Sequence, residues 1–343
     1  MSASVRPPAV VAGALLLASL LGAALAGPVL GHGSAPPEPT AATLLTGWSF
    51  DPLVWLPVLL GVWAWSAAVR SIDRTHPTNP VPRRRTAAWL GGLAVLVVAL
   101  QSPIDAYDTT LFTAHMLQHL LLTMVAAPLL VLSAPVTLLL RRASPGIRRR
   151  WVLPVLHSRA LRVVTRPVVA WVVFAAVMWV SHFSALFDAA LEDPAVHFVE
   201  HALYLGAAVL FWFPVIAVDP VPHRLSHPIR IGYLALGMPW SSFLGLAIFS
   251  AATVLYPHYA SLERTWGMTP LEDQAWAGGL MWAGGDLVFL VAVVLAVRTW
   301  LRAEEAEGRR VDALLDRDPP SRVSLAARPP ASLPRSAHRG RGR

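Results

Sequence analysis

Seven predominantly apolar stretches, at 53–69, 86–100, 112–140, 168–187, 196–218, 231–255 and 275–300, constrain this chain more than any other feature. Each is close to or longer than the roughly 17 to 25 residues that a bilayer crossing requires. Backbone N–H and C=O groups cannot go unpaired in lipid, and these runs are too long for barrel strands, so the segments are expected to be helices. The fold class that follows is all-α, a polytopic membrane helix bundle. Composition agrees, since a chain that is 55% hydrophobic and only 14% charged lacks the polar surface of a soluble protein.

Ahead of these segments, Arg6 precedes the apolar run 9–26, and Ala24-Leu25-Ala26 before Gly27 has the form of a small-residue cleavage site. The expected organisation is a signal peptide at 1–26 and an extracytoplasmic segment at 27–49. A seven-helix membrane domain then spans 50–300, and a basic disordered cytoplasmic tail 301–343. An uncleaved eighth helix is the alternative for the first segment.

Orientation follows from arginine, because short basic loops stay cytoplasmic. The chain has no lysine. Arg70, Arg74, Arg83, Arg84 and Arg85 follow the first span, and eight arginines lie between Arg141 and Arg166 after the third. The connections 101–111 and 184–195 have no basic residue and carry Asp105, Asp108, Asp188, Glu192 and Asp193. The expected topology is therefore N-terminus out and C-terminus in. The net charge of +8 is accounted for by these loops and by the tail, where anionic membrane lipid is the expected contact and nucleic acid is not. Zero cysteines exclude disulfides, thiolate metal sites and thiol catalysis together.

Twelve histidines scattered over 343 positions would give roughly 0.4 pairs at i, i+4 spacing by chance, and the chain has three. His115/His119 and His197/His201 fall at the outer ends of the third and fifth spans. The third pair, His223/His227, lies between Pro222 and Pro228 in a cytoplasmic loop, which discourages a helical chelate. On a helix, residues four apart share a face, so each outer pair can present two imidazoles to one ion. Glu200 and Tyr204 fall on the face of His197 and His201, while Met178 lies one turn from His182. Burying four imidazoles at one depth is costly unless something binds them. Imidazole with thioether and no thiolate suits copper, and zinc remains chemically admissible. His182 or His258 alone is more simply a hydrogen-bonded interfacial residue, and the methionines as a group are packing residues. Asp286 falls near the bilayer midplane. It is either a functional acid or a protonated one bonded to Ser241 or Ser242.

The run HMLQHLLLTMVAAPLLVLSAP at 115–135, with HFVEHALYLGAAVLFWFPVI, SAATVLYPHY and LEDQAWAGGLMWAGGDLVF further along, resembles the CtaG family of caa-type cytochrome c oxidase assembly proteins. The likeness covers about 48–297. It implies a non-enzymatic assembly factor in a bacterial plasma membrane. It also implies oxidase subunits as partners, a copper donor protein, and copper as the bound ion at His115, His119, His197 and His201. His182, Glu200 and Met178 are the additional candidates. Two other functions compete, a haem-bearing oxidoreductase using histidines of the third and fifth spans, and a copper transporter. The first would place at most one haem, since two-haem bundles need ligands at two depths and these pairs sit at one, and the second would need a ladder of ligands reaching the cytoplasmic side.

Overall fold

The computed structural model describes residues 38–220 and 223–317, and among these the secondary structure is helical with no strand. The expected signal peptide 1–26, residues 27–37 and the tail beyond 317 lie outside the described residues. The principal helices are α1 (Pro52–Thr75), α2 (Arg83–Gln101), α3 (Phe112–Arg142), α4 (Pro167–His182), α5 (Pro194–Ile216), α6 (His227–Phe249) and α7 (Pro270–Arg317).

Among the described residues, six helices are long and apolar enough to cross a membrane. The fourth expected span differs: α4 stops at His182 and the chain turns by 68° into a short helix, Leu186–Glu192. The two pieces together make seven crossings if counted as one bent span. The break falls at Phe183-Ser184-Ala185, where the Ser184 hydroxyl accepts from the backbone N–H of Leu186 in the turn before the new helix. Large apolar side chains such as Trp63, Val168, Leu236, Phe243 and Leu287 are exposed on helix surfaces. Hydrocarbon, and not water, is the solvent in which such a surface is stable.

Through residue 294 the chain forms one compact unit. In it α5 packs against α3 and α4, while α2 packs between α1 and α3. At α6 and α7 the backbones approach so closely that a side chain is excluded. A Cβ on Gly278 would lie 2.5 Å from Phe249 N, and one on Gly245 would lie 2.8 Å from Gly278 O. Residues from Leu295 form a second unit. Here the expected disorder of 301–343 is corrected in its first part, because helix α7 continues to Arg317. Glu305–Arg309 and Glu307–Arg310 ion pairs at helical spacing support it, as does a run of good helix formers.

Helix α3 is not uniform. It runs as α-helix over Phe112–Leu120, as a π-turn over Leu121–Ala126, and as α-helix again over Ala127–Leu132. It then breaks at Ala134, which takes a left-handed φ of 60°, before restarting at Pro135. The π-turn is held by a side chain of the neighbouring helix, since Trp212 Nε1–H of α5 donates to the Thr123 carbonyl at 2.9 Å.

Candidate metal centre

The start of α3 has no cap of its own, since Leu111 occupies that position. Asp273 at the start of α7 supplies it from 160 residues away. Its carboxylate accepts from Phe112 N at 2.7 Å, Thr113 N at 3.2 Å and Thr113 Oγ1 at 2.6 Å. Two of the backbone N–H groups that a helix start leaves unpaired, and the Thr113 hydroxyl, are thereby fixed, which sets where His115 and His119 stand. Helix α5 begins conventionally, with Pro194 in its first turn and Asp193 accepting from Ala195 N at 2.7 Å and Val196 N at 3.3 Å.

These two anchored helix starts bring the paired histidines together. Nitrogens of His115, His119 and His201 lie within 4.8 Å of one another, as do ligand atoms of Asp108, His115 and His197. His115 belongs to both groups. Glu200 sits between them, its Oε2 3.5 Å from His115 Nε2 and 3.8 Å from His119 Nε2. His197 Nε2 is 3.7 Å from Asp108 Oδ2. His115 at 0%, Glu200 at 1% and His119 at 4% exposure are removed from solvent, while His197 and His201 are partly buried.

Neither oxygen of Glu200 nor either ring nitrogen of His115 and His119 has a hydrogen-bond partner, and the same holds for Nε2 of His201. Buried polar atoms left in this way cost about 1–3 kcal/mol each, and more for a charged group. A cation accepts such lone pairs at once. A metal held at about 2.0–2.2 Å by imidazole nitrogen and carboxylate oxygen keeps tetrahedral ligand atoms about 3.4 Å apart. The separations of 3.5 and 3.8 Å around Glu200 are close to that spacing. His115, His119 and His201 could together hold a borderline metal ion, with Glu200 3.5 and 3.8 Å from the first two and Asp108 with His197 beside them. Burial, reinforced by Asp105, pushes the Asp108 carboxyl well above the usual carboxylate range, and a cation would offset that penalty.

His182 approaches from α4, its ring 6.2 Å from that of His119. Its Nδ1 lies 2.7 Å from the Met178 carbonyl, an acceptor only, so Nδ1 carries the proton and Nε2 keeps its lone pair. That Nε2 has no partner. Tyr204 stacks on His119 with centroids 4.0 Å apart and its hydroxyl lies 3.0 Å from His182 Nδ1, linking the two histidines. Met178 reaches a neighbouring cavity. His258 is a loop tie, with Nε2 2.9 Å from the Thr109 carbonyl. His227 opens α6 and His223 precedes it, so that pair forms no helical chelate. Asp286 stands apart from the histidines and accepts from Ser242 Oγ at 2.7 Å.

Asp108 and Asp273 were not singled out by the sequence. Asp108 carries one available signal, being an acidic residue in a loop without basic residues two turns ahead of His115. Asp273 carries none, because its role depends on how α7 meets α3.

The fold and the cluster define a multi-pass helical membrane protein with a buried histidine and carboxylate centre. Residues 63–303 match the family described as cytochrome c oxidase caa3 assembly factor (Caa3_CtaG), and the chain belongs to that family. It is 33% identical over 290 residues to an uncharacterized protein of Mycobacterium bovis and to one of Mycobacterium tuberculosis. An uncharacterized protein of Mycobacterium leprae is 30% identical over the same length. Each alignment covers 82% of this chain but only 43 to 44% of the relative, so the chain spans less than half the length of these proteins. No solved structure matches it.

Proposed function

We propose that this protein binds a copper ion at the cluster of His115, His119, His201 and Glu200, with Asp108 and His197 adjoining, and supports maturation of the copper centres of cytochrome c oxidase. The observation that carries this reading is the set of buried nitrogens and oxygens without hydrogen-bond partners, spaced as ligands of one ion are spaced. Family membership supplies the oxidase as the partner, and a copper donor protein would load the site. The role is binding and delivery, with no reaction catalysed by the chain itself.

The loop arginines favour seven crossings in a bacterial plasma membrane, with the cluster at the outer face. Copper when bound supplies a charge that the imidazoles and carboxylates share. Tyr204 and the Met178 carbonyl orient His182, and Asp273 orients the pair on α3. The haem reading has no support of this kind. The cavity touching His119 and His182 measures about 30 Å³, whereas cofactor sites run to about 300–1,000 Å³. The larger apolar groove, of about 370 Å³ between α4 and α6, has no histidine among its lining residues.

Metal analysis of the purified protein tests the proposal. His115→Ala with His119→Ala, and His197→Ala with His201→Ala, should each lose the bound copper and oxidase activity in parallel. His223→Ala with His227→Ala should keep both. Unchanged copper and oxidase activity in both outer double variants, with normal insertion, would refute the site. Stoichiometric zinc in place of copper would refute the choice of ion.

A further inference from the structure

Directly beside the cluster, four methionines from three different helices line one small cavity. Met116 and Met124 come from α3, Met178 from α4 and Met281 from α7, and the same cavity touches His119 and His182. Its volume of about 30 Å³ admits one or two water-sized particles and nothing larger. Its walls are almost wholly apolar, so water has few partners there. Two polar groups are nonetheless buried at its edge without partners, Nε2 of His182 and both ring nitrogens of His119, on side chains 3% and 4% exposed. Met124 is carried on the π-turn that Trp212 holds open, a local departure from the α-helix of the kind found at functional positions.

Thioether sulfur is soft, uncharged and polarisable, and it prefers soft monovalent d10 cations over borderline divalent ones. An apolar wall of methionine with one or two imidazoles is therefore a different chemical site from the carboxylate-bearing cluster next to it. We propose that this cavity is a second metal position, selective for monovalent copper, with ligands from the thioethers of Met116, Met124, Met178 and Met281 and from His182 Nε2. His119 lies on the boundary between the two positions. The inference rests on the copper reading of the cluster and extends it: borderline Cu(II) is held by histidine and carboxylate, and Cu(I) by methionine and histidine below. The absence of a net negative ligand in the cavity sets the charge preference, because a divalent ion there would carry two uncompensated charges in an apolar surround.

The test compares two ions on the purified full chain. Silver(I), a redox-inert stand-in for Cu(I), and Cu(II) are titrated separately against competing chelators, on the wild type, on Met124→Leu/Met178→Leu/Met281→Leu, and on His197→Ala/His201→Ala. Methionine to leucine nearly conserves volume, so packing should survive and thermal melting checks that it does. Should the triple variant fail to fold, Met178→Leu alone and sulfur scattering in the X-ray absorption spectrum of the silver-loaded wild type carry the test. The expected result is a loss of silver affinity of tenfold or more in the methionine variant with Cu(II) binding unchanged, and the reverse in the histidine variant. Silver binding that is unaffected by the methionine changes, or a spectrum without sulfur neighbours, would overturn the cavity site and leave the cluster standing. Methionine-dependent silver binding without any Cu(II) binding would sustain the cavity and overturn the cluster. A wild type that binds neither ion overturns both.

Discussion

Glu200→Gln separates a metal ligand from a structural residue, because the two roles predict opposite signs for stability and affinity. Both Glu200 oxygens are buried without hydrogen-bond partners, so the carboxyl stabilises the metal-free protein little and costs it desolvation. Glutamine keeps the volume and removes the charge. A buried carboxylate facing only two imidazoles at 3.5 and 3.8 Å costs more to bury than an amide, so the metal-free variant should be at least as stable as the wild type. Affinity moves the other way. A unit charge pair at about 4 Å contributes about 4 kcal/mol at an effective dielectric of about 20, and removing one member of a buried pair costs about 3–5 kcal/mol in practice. At about 1.4 kcal/mol per decade, Cu(II) affinity should fall by about 100- to 1,000-fold or somewhat more. Chelator competition measures the affinity, and thermal melting of the metal-free protein in detergent measures the stability. A variant that melts below the wild type and binds Cu(II) as tightly would refute the reasoning and make Glu200 a partner of the histidines only.

Asp273→Ala removes the acceptor for three donors at the start of α3 and should cost about 2–4 kcal/mol with weakened metal binding, checked by melting and titration. Asp273→Asn should recover part of both, and equal behaviour of the two variants would show that the cap is not what positions His115. Gly278→Ala forces a methyl against Phe249 N and the Gly245 carbonyl, backbone atoms that cannot move aside, and should destabilise by about 1–3 kcal/mol. Wild-type melting in that variant would mean that α6 and α7 do not meet there. Asp286→Asn keeps an acceptor for Ser242 and should leave membrane abundance normal while lowering oxidase maturation. Full oxidase activity would make Asp286 a packing residue. Reporters fused after Ser261 should be found outside and those after Thr75 and Ser158 in the cytoplasm, and any inversion of that pattern would refute the orientation.

The spans were legible because hydrocarbon demands a length of apolar sequence and nothing subtler. The histidine pairs were legible for a similar reason, since spacing of four residues on a helix fixes which side chains share a face. The failures are equally physical. The single hydroxyl at Ser184 is too small a signal to outweigh the surrounding apolar run, so hydropathy does not see the 68° turn after α4. The tail beyond Trp300 was judged by its overall arginine, proline and serine content. The stretch 303–315 alone is rich in alanine, glutamate, arginine and leucine and is a helix former. Met116, Met178 and Met281 do pack in one hydrophobic cluster, as the packing reading expected, but spacing along the sequence says nothing about their convergence on a cavity. Met178 and Met281 are more than 100 residues apart and line one cavity.

What holds the centre in place follows from how α3 is pinned. Asp273 fixes its start, and Asp219, in the connection after α5, fixes its restart at Pro135. Asp219 accepts from Val136 N at 3.1 Å, Thr137 N at 2.6 Å and Thr137 Oγ1 at 2.6 Å. The two devices are the same, a remote aspartate taking two backbone donors and one threonine hydroxyl at the head of a helical segment. Between them, the Trp212 indole secures the π-turn. Helix α3 is thus anchored to α7, to the α5 connection and to α5 itself, and each anchor is a charged or indole hydrogen bond in a low-dielectric interior, where such bonds are strongest. His115 and His119 of the cluster and Met116 and Met124 of the cavity ride on this helix, so a substitution at an anchor should alter both ions' affinities together. A substitution at Glu200 or Met178 should alter one. That difference in pattern distinguishes residues that position the centre from residues that bind at it.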